Sequence, residues 1–540
     1  MNPPHHRAAP RLAWLLALLL ALGCNLARAQ PAAPDSPPID ILEYQVEGNS
    51  VLPVAAIEQA LAPHLGPGRA MKDVEAAREA LEAAYQKAGY LTVLVDIPEQ
   101  RIEQGVVRLA VLEGRVGALY VSGSHWHDQG WIRQRVAGVA PGTVPNFNEV
   151  QQQLASVNRS EDRRVQPVLK PGRLPGTVDV DLQVEDQLPL SGSAELNNHH
   201  SRDTDELRAS ATLRYDNLFQ RDHSLSLTLV TAPTAPEQSQ VAILNYGIPL
   251  DGGDSWSASL TWSDSDIETL GGTQVLSRGT TWGLRRHIAW PHASGTAVLS
   301  LGADYKNLKE KVDLSTPLRY LPWQVAYADG WQEGETQLQL NLGLSFAIGR
   351  LLQREVFCPI GAGDTTTKSD QFACKRYGAS PSFGAFKVDG RWNERLPAWG
   401  GAQLRLRLGG QLASGPLVSA EQYSLGGAET VRGYLEGEAS GDHGVLGSIE
   451  WRTANMVPPG DTGLAWRSLS LLAFAEGGAT FITQALPGQD QRSGLIGTGF
   501  GLRLASERIE ASLDFARAGR DSGSTPAGDW RAHARLSARF

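Results

Sequence analysis

Beyond its first thirty residues the chain has no stretch approaching the roughly 18 consecutive apolar residues that a transmembrane helix needs, so no helical span is expected. A β-barrel stays open, because barrel strands are only half apolar and leave little trace in bulk hydropathy. Enzymatic constellations are missing too: there is no Gly-x-Ser-x-Gly elbow, no His-Glu-x-x-His pair and no Gly-x-x-x-x-Gly-Lys-Ser/Thr phosphate loop. The chain does not read as an enzyme. It also lacks an excess of basic charge. The formal net charge is −9, and the first 29 residues carry Arg7, Arg11 and Arg28 with no acid, so the remainder stands at −12. That balance argues against nucleic acid as a partner. Cysteine is scarce, with three in the chain. Cys24 lies in the N-terminal apolar segment, whereas Cys358 and Cys374 share a polar segment and are expected to pair in an oxidising compartment. His125-Trp126-His127 and Asn197-Asn198-His199-His200 have no thiolate or carboxylate set beside them in the sequence. They read as solvated histidines, and neither a metal nor another cofactor is expected.

What is present begins with Arg7 and Arg11, an apolar run over 12–23, and Ala27-Arg28-Ala29, the pattern of a secretory signal peptide over 1–29. Residues 30–39 hold four prolines and form a linker. A strand over 41–48 follows, then helices over 54–65 and 72–87. The second helix places Val74, Ala77, Leu81, Ala84 and Tyr85 on one face. Strands are expected over 90–97 and 101–112. The order then repeats, with a strand at 116–123, helices at 129–136 and 148–157, and strands at 165–169 and 177–184. Two small α+β domains, 40–115 and 116–187, are the expectation.

From residue 188 helical periodicity gives way to alternation. Leu338, Leu340, Leu342, Leu344 and Phe346 alternate with Gln337, Gln339, Asn341 and Ser345, and Trp256, Ala258, Leu260 and Trp262 with Ser257, Ser259 and Thr261. Such runs reach about 10 residues, enough to cross a bilayer at a tilt and longer than the roughly 5–6 usual in soluble sandwiches. About 16 of them fit between 188 and 540, an even number, as in bacterial outer-membrane barrels. Counted from a periplasmic start, the connections at 218–222, 248–254, 329–334 and 505–506 are short, while 347–378 and 414–442 are long. Short periplasmic turns and long external loops give that asymmetry. It places the Cys358/Cys374 loop and the 414–442 connection, between the eleventh and twelfth strands, outside the cell.

The 414–442 connection leads into a stretch from Ser424 to Gly444 with six glycines and Val431-Arg432-Gly433-Tyr434 at its centre. A backbone of that composition turns sharply and passes close to other groups. Taken alone it also fits a surface loop with one solvated arginine. The last strand sets Trp530, Ala532, Ala534, Leu536, Ala538 and Phe540 against Arg531, His533, Arg535, Ser537 and Arg539. These segments resemble the outer-membrane protein insertase superfamily and, within it, the two-partner secretion transporters (TpsB proteins). Val431-Arg432-Gly433-Tyr434 is similar to their inward-folded loop. The strand-and-helix-pair repeats resemble their POTRA domains, including Leu112-Glu113-Gly114-Arg115 at the junction and Pro171-Gly172 between the last two strands. Phe540 resembles their C-terminal signal for barrel insertion. The resemblance implies that Arg432 meets an acid on the wall two strands on, in a Phe-Asp-x-Gly motif. Phe474-Ala475-Glu476-Gly477-Gly478 is the match, with Glu476 one methylene longer than the usual aspartate. Glu476 shares a strand face with Ser470, Leu472 and Phe474 and is expected to point into the lumen, where water would reduce the pair's contribution toward ~1 kcal/mol.

The resemblance covers essentially the whole chain beyond the signal. It implies an all-β transmembrane barrel of about 16 antiparallel strands preceded by two small α+β POTRA domains, in the outer membrane of a Gram-negative bacterium with the POTRA domains in the periplasm. It further implies a pore that takes up a large unfolded exoprotein, TpsA-like and typically β-helical, and secretes it without ATP. Outer-membrane lipids and the barrel-assembly machinery are the other partners implied. Many family members begin with a pore-plugging helix, for which residues 30–38 are too short and too rich in proline. Two rivals remain: a barrel-assembly insertase, which normally carries more POTRA domains, and a passive porin, which would leave the periplasmic domains unexplained.

Overall fold

The computed structural model describes residues 39–265, 269–270, 273–274, 278–309, 317–352, 354–357, 368–458 and 466–540. The signal peptide, Cys24, residues 30–38 and Cys358 lie outside them. The chain divides into two compact units: one takes in residues up to 122 with 133–157 and 165–184, the other 123–132, 158–164 and 185–540.

In the first unit, β1 (Glu43–Glu47) runs parallel to β3 (Val106–Glu113), which pairs antiparallel with β2 (Val93–Asp96). Helices α1 (Val54–Leu61) and α2 (Met71–Lys87) pack on this sheet. α2 buries Val74, Ala77, Leu81 and Tyr85, the stripe its sequence spacing requires, and Asp73 accepts the Ala70 amide at 2.8 Å where it begins. Burial pushes the Tyr85 hydroxyl up to about 12, and it donates to Asn49 at 2.6 Å. Strand was expected from 101, yet β3 starts at Val106. Gln104 and Gly105 take φ of 55° and 74° and turn the chain there. A second sheet has the order β4 (Arg115–Ser122), β6 (Thr177–Asp186), β5 (Arg163–Pro171), with helices α3 (Gln129–Arg135) and α4 (Phe147–Val157) in the connections.

In the second unit, sixteen antiparallel strands close into a barrel. They are β7 (Leu190–Asn197), β8 (Arg208–Leu218), β9 (His223–Thr231), β10 (Ser239–Pro249), β11 (Ser255–Ser265), β12 (Arg278–His292), β13 (Gly295–Lys309) and β14, whose two parts Pro317–Tyr320 and Pro322–Glu333 both pair with β13. Then come β15 (Thr336–Ala347), β16 (Phe383–Leu396), β17 (Ala402–Ala413), β18 (His443–Arg452), β19 (Ser468–Phe481), β20 (Arg492–Ala505), β21 (Ile509–Ala518) and β22 (Trp530–Arg539). Alternation puts large apolar side chains such as Trp282, Leu284, Ile449, Trp451, Phe500 and Phe515 on the exposed outer face. Their neighbours Glu450 and Asp514 are buried on the inner one. At three of the four short turns the strands run further than alternation suggested, whereas the expected 505–506 turn occupies 506–508. β14 continues to Glu333, so its turn is only 334–335, because backbone pairing persists past the lipid-facing band that imposes alternation. Among the described residues no helix is long and apolar enough to cross a membrane.

Candidate functional site

The connection between β17 and β18, the eleventh and twelfth barrel strands, folds back against the inner wall. Its neck is a short ribbon, Tyr423–Leu425 paired with Ala439–Gly441. From the neck a turn carries Val431 and Tyr434, both fully buried, into a cluster with Leu425, Leu446 of β18, Leu495 of β20 and Ala518 of β21. Burying each such side chain stabilises the inward position by roughly 1.5–3 kcal/mol. The Tyr434 hydroxyl donates to the Arg520 carbonyl at 2.8 Å and accepts the Ile496 amide at 3.3 Å. Gly433 has φ +100°, and a side chain there would press on the backbone of Arg517 and Ala518. Gly497 of β20 makes the complementary space: a Cβ at that position would sit 2.0 Å from the Arg432 carbonyl.

Arg432 is only 5% exposed. Its backbone amide donates to Glu476 Oε2 at 2.8 Å, and its Nε and Nη2 donate to Glu476 Oε1 at 3.0 and 2.5 Å. Nη2 also reaches Glu450 at 3.1 Å, Nη1 reaches Asp514 at 3.1 Å, and the guanidinium lies 3.4 Å from the centre of the Phe474 ring. Two further arginines balance the acids: Arg452 donates to Glu450 at 3.0 Å and Arg503 to Asp514 at 2.5 and 2.8 Å. Three carboxylates and three guanidiniums thus form one network across β18–β21. The expected pairing partners are in contact, but the surroundings are not the water-filled lumen anticipated from sequence. With Glu476 8% exposed and Phe474 6%, losing one partner belongs with buried pairs, at about 3–5 kcal/mol.

Sequence reasoning missed Glu450, Asp514 and His533, whose Nε2 accepts the Gly433 amide at 3.1 Å. Their signal was parity: each is a polar residue on the inner face of a strand whose outer face is apolar. Gly478 allows close packing, since a Cβ there would lie 2.7 Å from the Val445 carbonyl. Phe540 pairs with β7 through Gly192, donating at 3.0 Å and accepting at 3.2 Å. Cys374 lies in the short helix Gln371–Lys375 and is disulfide-bonded, while Cys358 is outside the described residues.

One histidine expectation is corrected. His125 is exposed, but His127 is buried, with Nδ1 3.2 Å from Asp186 and Nε2 3.4 Å from Asp162. These carboxylates are 59 and 35 positions away in the sequence, too far for a local pattern to reveal. Burial tends to raise the Asp186 carboxyl, yet the amides of Trp126 and His125 and the contacts from His127 hold it below the ordinary carboxylate range. No group of side chains able to hold a metal occurs among the described residues.

A second junction lies at the outer end of the same connection. Asp442, fully buried, accepts both Arg376 guanidinium nitrogens, the Leu417 amide at 2.9 Å and the Thr483 amide at 2.7 Å. It therefore joins the loops before β16, before β18 and after β19. Next to it Phe372, Leu417 and Val418 pack on Tyr320 and Phe383 of the wall. Glu421 accepts Lys306 at 2.6 Å and the Tyr320 hydroxyl at 2.7 Å.

The family model "Haemolysin secretion/activation protein ShlB/FhaC/HecB" matches residues 176–504, and "POTRA domain, ShlB-type" matches residues 39–114. The outer membrane transporter CdiB of Escherichia coli O6:K15:H31 (strain 536 / UPEC) is 25% identical over 364 residues, covering 60% of this chain and 61% of that protein. The alignment thus spans about three fifths of that relative's length. The heme/hemopexin transporter protein HuxB of Haemophilus influenzae is 21% identical over 427 residues, 77% of this chain and 72% of that one. The solved structure of CdiB from Escherichia coli shares the fold, with a TM-score of 0.62 at 17% identity, over 96% of this chain and 93% of that one.

Proposed function

Because the chain belongs to the ShlB/FhaC/HecB family of haemolysin secretion/activation proteins, outer-membrane barrels with POTRA domains in the periplasm, we propose that it is a pore that secretes a large exoprotein. The unfolded partner, TpsA-like and rich in β-helix once folded, is recognised in the periplasm by the POTRA domains, 40–115 and 116–187. The observation that carries the reading is the Arg432 network. A loop that places one arginine among three wall acids, two of which also pair with the wall arginines Arg452 and Arg503, is an element that can leave the lumen when a polypeptide enters, at the cost of one acid left in excess on the wall. Recognition is by strand addition: β1, β2, β4 and β5 are the edge strands of their sheets, and an extended segment pairs with such an edge through main-chain hydrogen bonds. No nucleotide is needed, because folding of the exoprotein outside draws the chain through. Lipids contact the outer apolar face, the barrel-assembly machinery reads the strand that ends in Phe540, and Cys374 pairs with Cys358 in an external loop.

The test is co-expression with a β-helical exoprotein of the TpsA type, measured as exoprotein in the medium. Deleting residues 40–115 should abolish release while the barrel remains inserted. Equal release from cells without the chain would end the reading, and release through the truncated chain would move recognition into the barrel.

A further inference from the structure

The barrel closes between its last strand, β22, and its first, β7, and this seam is short. Residues pair from Arg535 opposite Asn197 to Arg539 opposite Ser193, with Phe540 bonded to Gly192 just beyond. On its other side β22 pairs with β21 up to Trp530 opposite Arg517. The outer half of β22 therefore has no strand on the β7 side. Asn198 substitutes for one there: its amide donates to the Ala534 carbonyl at 3.2 Å, its Nδ2 donates to the Ala532 carbonyl at 2.8 Å, and its Oδ1 accepts the Ala534 amide at 2.8 Å.

The inward loop reaches both sides of this weak point. Gly433 donates to His533 on β22. Three residues on, the Glu436 amide donates to the carbonyl of His200, just past the end of β7, at 3.0 Å. Glu438 accepts the Ser524 amide at 2.9 Å and the Thr525 hydroxyl at 3.1 Å, both in the loop leading into β22. None of these contacts belongs to the arginine network that anchors the loop on β18–β21.

We infer that His533 is a positioning residue for the inward loop and that Gly433–Glu438 bridges the outer half of the closing seam, so that loop release and seam loosening are one transition. The acceptor role requires a neutral imidazole with an unprotonated Nε2. A loop that leaves the lumen removes the bridge from both strands at once, and Asn198 alone then holds the outer seam. The inference deepens the pore reading and rests on it for the purpose of loop release.

The test is amide exchange in the intact chain, read in peptides covering 196–200 and 532–536 for the seam and 433–438 for the loop. His533→Phe, which keeps a ring and removes the acceptor, should raise exchange in all three windows by about fivefold to tenfold, as expected for one lost buried hydrogen bond. His533→Gln, which restores an acceptor oxygen, should return all three toward the parent. Glu438→Ala, off the strands and tolerant of folding, should raise exchange in the two seam windows as well. A rise confined to the loop, Gln behaving like Phe, or a seam unmoved by Glu438→Ala each overturns the inference. Secretion is scored separately: a parent chain that secretes nothing ends the pore reading and leaves the exchange result standing.

Discussion

Arg432 carries three kinds of contact at once, a carboxylate fork, a ring face and a backbone amide fixed to the same Glu476. Removing either charge leaves the other buried beside it, which costs about 3–5 kcal/mol and is better relieved by moving the loop out than by retaining it. Arg432→Ala and Glu476→Ala should each impair secretion with barrel assembly intact, and the double variant should be no worse than the poorer single one, because coupled residues do not add. Glu476→Asp keeps the charge on a shorter arm and should stay active. Exoprotein release measured across this set decides: strictly additive alanine defects, or an inactive Glu476→Asp beside an active Glu476→Ala, would mean the two residues do not act as a pair. The motif around Val431 and Phe474 made these residues legible in the sequence. Glu450 and Asp514 were not, since nothing local marks a lumenal acid as the one that touches an arginine 18 or 82 positions away.

At the level of elements, period-two alternation located the strands because lipid on one side and polar interior on the other leave each side chain little choice. The connections were less legible. The loop carrying Cys374 offered the sequence only its cysteine, whereas in the fold Phe372 packs on Tyr320 and Phe383, and Arg376 is held by Asp442. Such contacts form between segments that share no period, so only the folded chain reveals them. Asp442→Asn would keep the shape and remove the charge that receives Arg376 and two backbone amides. We expect limited proteolysis of intact cells to cut the loops at 348–382 and 482–491 faster in that variant, with barrel assembly unchanged. Unaltered cleavage would show that the three loops hold their places independently of Asp442.

For the whole molecule, strand number followed from counting the alternating runs, because each run that crosses the wall must be followed by one that returns. That the Arg432 loop lies inward was legible only through its resemblance to the family's inward-folded loop, and where the loops joined at Asp442 come to rest was not legible at all. Both rest inward: the Arg432 segment is bonded to β18–β21, and the loops joined at Asp442 pack on the wall near Tyr320. Two closures in series predict a small, flickering conductance for the intact chain in planar bilayers, in contrast to a porin of similar strand number. Deleting residues 426–438, between the two strands of the neck ribbon, removes the inner closure and leaves Asp442 and its partners in place. Conductance should rise in that variant, yet remain below that of a variant that also carries Asp442→Asn, because the outer loops still narrow the exit. A large, steady conductance from the intact chain would mean that the inward loop does not seal the lumen. Equal conductance in the deletion and in the combined variant would leave the outer loops no part in closure.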